Sequence, residues 1–247
     1  GFEFSSLPAK HHVVDEPLES AFHVTSPLEA LRRAFEDLEE PIRGLGGLEA
    51  RNLVALLLHL KAQRCTGEEE AILGVYQRLR LKHPGLSLVL VPRHPERCRQ
   101  VCEELTKAGV DSVLLTSLNK GHEPLSAETV LVVDTVGEVL RFYAWSDIVF
   151  VGGSLVPVGG HNILEASLTS KPVFFGPYMH NFKEIVTLVK EAYGGIQVKD
   201  VEELYLHADL LLNNPGEAQR VGENGFNLLD ENRGATARTL NEISRRI

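Results

Sequence analysis

From about residue 51 onward, short apolar runs alternate with amphipathic segments of helical length. The apolar runs predict strands at 53–60, 86–91, 112–115, 130–133, 148–151, 172–175 and 195–198. The other segments predict helices at 68–81, 96–108, 137–144, 161–168, 181–192, 201–212, 216–229 and 234–246. Strands that are apolar almost throughout and alternate with helices are typical of a parallel sheet covered on both faces. The pattern therefore predicts an α/β fold with a Rossmann-like, doubly wound parallel sheet.

Residues 1–50 have a different character, because they carry a net charge of −6 whereas the remaining 197 residues carry only −3. Ser26 and Glu29 form a capping box that predicts one amphipathic helix, which ends at Pro41. The glycines that follow predict a domain boundary, with an acidic segment at 1–50 and a folded domain at 51–247. The acidic helix is interpreted either as a partner-docking element or as a helix packed back on the domain.

Composition excludes several classes of protein. With 43% hydrophobic and 24% charged residues, the chain is neither disordered nor a disulfide scaffold. No apolar run approaches the roughly 20 residues that span a bilayer, and no signal peptide is evident, so a soluble chain is expected. Three cysteines, an odd number, favour a reducing compartment. The weak charge of the large domain argues against nucleic-acid binding.

The loop after the predicted strand 148–151 carries the strongest functional signal, since ligands of such sheets bind beyond the carboxyl ends of strands. Its glycines allow close approach of a ligand, and free amides at a helix start favour a phosphate. Glu165, one turn into the predicted helix, is expected to accept hydrogen bonds from a vicinal diol. A tight turn before an ordinary capped helix is the structural alternative. The candidates in this loop are Gly153, Ser154, Gly159, Gly160, His161, Asn162 and Glu165.

Three further loops follow predicted strands. Arg93 and His94 follow one strand, and arginine suits bidentate contact with a phosphate. Gly137 and Glu138 follow another, and Asn181 follows a third and is expected to cap the next helix. In each loop, helix capping or a solvated surface explains these residues at least as well as ligand binding. The chain has no P-loop, no Gly-x-Ser-x-Gly elbow and no zinc-like cluster, so no metal or other cofactor is predicted.

Five sequence blocks stand out between residues 68 and 247. The main block is Phe150-Val-Gly-Gly-Ser-Leu-Val-Pro-Val-Gly-Gly-His-Asn-Ile-Leu-Glu165. The others are Pro92-Arg-His-Pro-Glu-Arg97, Asp134-Thr-Val-Gly-Glu138, Phe175-Gly-Pro with Asn181-Phe-Lys-Glu184, and Asn232-Arg-Gly-Ala235 with Arg238. Together, in order and spacing, these blocks resemble the signature of 3-deoxy-D-manno-octulosonic acid (Kdo) transferases.

The resemblance implies the C-terminal, nucleotide-sugar-binding domain of a GT-B glycosyltransferase. Such enzymes transfer Kdo from CMP-Kdo to the lipid A precursor at the cytoplasmic face of the bacterial inner membrane, without a metal and with inversion. By resemblance, Arg93, Gly137, Asn162 and Glu165 contact the CMP portion. Membrane association is implied only for the full-length enzyme.

The chain departs from the family in two respects. Residues 1–50 are too short to be the half that carries the acceptor groove and the catalytic carboxylate, so the isolated chain is expected to be inactive. The family's Ser/Thr-His-Glu-Gly-Glu-Glu loop is replaced by Arg64-Cys-Thr-Gly-Glu-Glu-Glu70. Two alternatives therefore stay open: a non-catalytic binding or scaffold module that keeps the fold, and another GT-B enzyme that uses a UDP-sugar.

Overall fold

Within the residues described by the computed structural model (53–57, 66–118, 125–126 and 128–231), seven strands form one sheet. These residues all belong to one compact unit of the chain. The strands are β1 Leu53–Leu57, β2 Ser87–Leu90, β3 Ser112–Leu114, β4 Val130–Val132, β5 Ile148–Val151, β6 Val173–Phe175 and β7 Ile196–Gln197. The helices are α1 Thr66–Arg80, α2 Cys98–Lys107, α3 Val139–Trp145, α4 Leu164–Ser167, α5 Lys183–Glu191, α6 Val201–Asn213 and α7 Pro215–Glu231.

Every strand pair is parallel, and the strand order is β3-β4-β2-β1-β5-β6-β7. Strands β2, β4 and β3 lie on one side of β1, and the chain then crosses back to place β5, β6 and β7 on the other side. This reversal confirms the predicted doubly wound fold. It also places the switch point, where such folds bind ligands, between the carboxyl ends of β1 and β5.

Alternation of side chains along β5 supplies both faces of the sheet with a hydrophobic core. Phe150 packs with the cluster that includes Tyr76 of α1 and residues of α2 and α6. Val149 and Val151 pack on the opposite face with Phe142 of α3 and residues of α5. Since every residue of β5 is buried, the strand reads in sequence as a continuous apolar run.

Most predicted elements are found with ends shifted by one to three residues. The helix predicted at 96–108 begins as a 3-10 turn, Pro95–Arg97, and continues as α2. Asp200 caps α6, where its side chain accepts from the amide of Glu203 at 2.9 Å. None of the helices in the described ranges is long and apolar enough to cross a membrane.

Several predictions fall outside the described residues. These are the acidic segment with its helix, the domain boundary near residue 50, the end of the first strand at 58–60, and the last helix at 234–246.

Candidate functional site

The loop after β5 is fastened to the loop after β6 through Ser154. The Ser154 hydroxyl donates to the carbonyl oxygen of Val151 at 2.6 Å and accepts from the amide of Gly176 at 2.8 Å. The Ser154 carbonyl oxygen accepts from the amide of Tyr178 at 2.9 Å. The side chain is fully buried, so these bonds place Ser154 inside the wall of the site, where it joins two loops.

Glu68, in the first turn of α1, completes the fastening of the β5 loop. Its carboxylate accepts three consecutive amides: Gly153 at 2.6 Å, Ser154 at 3.1 Å and Leu155 at 2.8 Å. The side chain is only 1% exposed. In the sequence, Glu68 is one of three consecutive glutamates at a predicted helix start, and no local signal marks it as a site residue. These three amides already have an acceptor, so they are not the free phosphate donors that the glycine-rich loop predicted.

The turn at Gly159 and Gly160 requires glycine for two reasons. Both residues have positive φ, 109° and 74°. A Cβ on Gly159 would lie 2.1 Å from Nδ2 of Asn181, and one on Gly160 would lie 2.1 Å from Sδ of Met179. Backbone bonds hold the turn, because Gly160 donates to Gly153 at 2.8 Å and Asn181 donates to Gly159 at 3.2 Å. The structure thus brings Asn181 beside the glycine turn.

The helix predicted at 161–168 is wrong at its start, because α4 begins at Leu164 and has only four residues. Asn162 Oδ1 accepts from the amide of Leu164 at 3.1 Å, an Asx turn that keeps the preceding backbone out of the helix. Such a short helix has little dipole with which to attract a phosphate. The prediction that a helix starts at Gly160–Asn162 is therefore wrong, and phosphate binding by these residues stays a prediction.

Arg93 and His161, 68 residues apart in the chain, come together at this edge of the sheet. The Arg93 guanidinium Nη1 lies 3.4 Å from Nδ1 of His161. Arg93 is exposed, whereas His161 is 7% exposed. The pair presents a cation next to the glycine turn, which is an arrangement suited to an anion.

Glu165 lies one turn beyond Asn162 and is exposed. Asn162 Nδ2 donates to Glu165 Oε1 at 3.4 Å, a long bond that leaves the carboxylate able to accept from a ligand. Burial raises the pKa of Tyr143, and the nearby charge of Glu165 adds to that shift. Glu165 therefore presents a negative charge on the same short segment as His161.

The other candidate residues lie in loops where their contacts are local. His94 pairs with Glu96 at 3.5 Å, and Glu138 pairs with Arg141 at 2.5 Å. Gly137 is exposed, with open space where a Cβ would stand. Asn181 does not cap α5, since the residue at the cap position is Phe182 and no side chain bonds there. The cap prediction for Asn181 is wrong because the helix begins at Lys183, which puts Phe182 and not Asn181 at the cap position.

A separate cavity of about 400 Å³ lies on the α1 and α2 face of the sheet. Buried Leu73 and Leu88 line it together with Glu69 and Glu104. Burial raises the pKa of Glu69 to about 7, although the Arg97 guanidinium 3.4 Å away opposes that shift. In the described part of the chain, no group of three or more His, Cys, Asp or Glu could hold a metal ion.

Comparison with known proteins identifies relatives of the chain. It is 38% identical over 182 residues to the 3-deoxy-D-manno-octulosonic acid transferase of Haemophilus influenzae, which covers 73% of this chain and 42% of the relative. It is also 38% identical over 223 residues to a probable mitochondrial 3-deoxy-D-manno-octulosonic acid transferase of Arabidopsis thaliana, which covers 87% and 46%. The chain thus spans less than half the length of these relatives. No family model matches it.

Among solved structures, the chain is similar to the C-terminal CMP-Kdo binding domain of WaaA from Acinetobacter baumannii. The TM-score is 0.66 at 27% identity, and the match covers 81% of this chain and 98% of that domain. The match to nearly the whole of this C-terminal domain agrees with a chain that spans less than half of each sequence relative. The chain therefore belongs to the family of 3-deoxy-D-manno-octulosonic acid transferases, whose C-terminal half it matches.

Proposed function

We propose that this chain is the donor domain of a Kdo transferase and binds CMP-Kdo for transfer of Kdo to the lipid A precursor. The observation that carries the proposal is the approach of Arg93 to His161 at the carboxyl edge of the sheet, on the same short segment that carries the exposed Glu165. The similarity to the CMP-Kdo binding domain of the Acinetobacter protein supports the choice of nucleotide.

Arg93 is proposed to bind the phosphate of CMP. Its exposed guanidinium offers several N–H donors, and the neighbouring His161 ring fixes one side of the group. When Kdo leaves, negative charge grows on the CMP phosphate. A cation held at that position stabilises the departing nucleotide more strongly than the bound sugar nucleotide, which lowers the barrier.

Glu165 and Asn162 are proposed to bind the ribose. A carboxylate can accept from both hydroxyls of a vicinal diol, and the 3.4 Å bond from Asn162 is weak enough to be exchanged for such a ligand. Glu165 lies four residues beyond His161 in the chain, so the ribose and the phosphate are proposed to have different partners on one short segment. Gly137, exposed after β4, then gives the base room to approach the backbone.

The acceptor groove and the general base are proposed to belong to the half of the family protein that this chain does not match. The full enzyme is expected at the cytoplasmic face of the bacterial inner membrane, where its acceptor lies. This chain alone is expected to bind the donor without transferring Kdo.

Calorimetry with CMP and UDP tests the proposal. We expect CMP to bind more tightly than UDP, and Glu165→Gln to weaken CMP binding about tenfold to hundredfold through loss of charged hydrogen bonds. Glu191→Gln, an exposed carboxyl on α5, is the matched control and should bind like the wild type. Absence of binding at about 1 mM CMP would refute the proposal. Preference for UDP would instead indicate an enzyme that uses a UDP-sugar.

A further inference from the structure

We propose that Glu68 is a positioning residue for the donor site: its buried carboxylate sets the path of the β5 loop and, through that loop, the position of His161. The inference rests on the proposed function, since it concerns the same site. Three observations carry it: the three amides that Glu68 binds, its burial, and the bonds that continue from the loop to the site.

The negative carboxylate of Glu68 faces three hydrogen-bond donors of the loop after β5. Three consecutive N–H groups point at one anion, an arrangement of backbone amides that elsewhere in proteins holds phosphates and other anions. Here the anion is part of the protein itself. Burial raises the pKa of Glu68 above its usual value, and the three amides, each of which lowers it, favour the charged carboxylate that they bind.

Two hydrogen bonds connect Glu68 to the residues of the site. Glu68 accepts from the amide of Gly153, and the carbonyl oxygen of Gly153 accepts from the amide of Gly160 at 2.8 Å. Gly160 is bonded in sequence to His161, whose ring lies 3.4 Å from Arg93. Displacement of the loop at Gly153 therefore moves the residue that orients Arg93.

The position of Glu68 in the fold explains why it can do this. It lies in the first turn of α1, the helix that follows β1, and the loop it holds follows β5, the neighbour of β1. The Glu68 carboxylate therefore joins the start of α1 to the loop after β5, at the switch point between β1 and β5. A ligand phosphate therefore does not accept from the amides of Gly153, Ser154 and Leu155, which Glu68 already occupies, and Arg93 stays its proposed donor.

Substitution of Glu68 tests the inference. Glu68→Gln keeps the size of the side chain but puts an NH2 group against amide donors, and Glu68→Asp keeps the charge but shortens the reach. We expect both variants to bind CMP at least about tenfold more weakly than the wild type. Amide exchange of Gly153, Ser154 and Leu155 should accelerate while that of β4 stays unchanged, provided that urea unfolding shows the variant folded.

Two controls separate positioning from general destabilisation. Glu70→Gln removes an exposed carboxyl two residues along the same helix and should leave both CMP affinity and amide exchange unchanged. Val101→Ala removes buried side-chain volume from α2, away from the loop, and should lower stability without weakening CMP binding. If Glu68→Gln fails to fold, Glu68→Asp carries the test.

The outcomes are distinct for the two proposals. Wild-type binding of CMP with unchanged affinity in the Glu68 variants would overturn the positioning role and leave the proposed function intact. Absence of CMP binding by the wild type would overturn the proposed function, and the positioning role with it. Loss of affinity in Val101→Ala equal to that in Glu68→Gln would reduce Glu68 to a stabilising residue and also overturn the inference.

Discussion

Gly176→Ala should destabilise the protein severely, because Gly176 lies against the backbone of the β5 loop. A Cβ at this position would stand 2.2 Å from the carbonyl oxygen of Ser154 and 2.4 Å from its carbonyl carbon. Backbone atoms cannot move away as the end of a flexible side chain can, so the loops after β5 and β6 must separate. Separation would also break the bonds from Gly176 and Tyr178 to Ser154.

The expected loss follows from those contacts. Overpacking costs about 1–3 kcal/mol, and each of the two hydrogen bonds contributes about 0.5–1.5 kcal/mol, which gives roughly 2–6 kcal/mol. This is a large part of the roughly 5–15 kcal/mol by which domains are stable. Urea unfolding followed by circular dichroism measures it, and CMP affinity should fall as well, since the same loop leads to His161.

Gly74→Ala is the matched control for this prediction. It makes the same chemical change inside α1, where no atom apart from the neighbouring helix backbone lies within 4 Å of the new Cβ. Glycine in a helix costs about 0.5–1 kcal/mol relative to alanine, so this variant should be more stable than the wild type. Equal stabilities for Gly176→Ala and Gly74→Ala would refute the packing of the two loops described above.

Two further predictions concern charge. Arg93→Gln should weaken CMP binding about tenfold to hundredfold but leave cytidine binding nearly unchanged, because cytidine lacks the phosphate; calorimetry that finds equal losses would contradict a phosphate role for Arg93. Carbon-13 NMR should find Glu69 titrating near 7, as burial raises its pKa to about 7. A carboxyl with a raised pKa stabilises the fold fully below about pH 4.5 and loses that contribution as pH rises through 7. Stability should therefore fall by on the order of 1–2 kcal/mol over this range, and less in Glu69→Gln; a Glu69 titration near 4.5 would contradict the burial of this side chain.

The strands of this fold could be predicted because a strand buried on both faces is apolar at nearly every position, and such a run is visible in the sequence. β5 lies at 148–151 as predicted, since each of its four residues is apolar and buried. The short α4 could not be predicted in the same way. The sequence predicted that His161 and Asn162 are helical. In the structure, the Asn162 side chain accepts from the amide of Leu164 and holds the backbone in a turn.

The candidate site shows the same limit. Residues that share one loop, such as His161 and Glu165, could be predicted as site residues because they are close together in the sequence. Glu68 binds amides 85 to 87 residues away, and in sequence it is one of three consecutive glutamates in a first helical turn. Nothing local distinguishes it from Glu70, which is exposed. The distinction comes from the adjacency of β1 and β5, which only the folded sheet establishes.

The most direct test of the central claim is an amide NMR titration of the chain with CMP. The claim is that CMP lies along the edge of the sheet, with its phosphate at Arg93 and its ribose at Glu165. The largest shifts should then fall on Gly137, the segment 160–165 and the backbone next to Arg93, with smaller shifts at 153–155. Saturable shifts that cluster instead around the cavity beside Glu69, with none in 160–165, would contradict it.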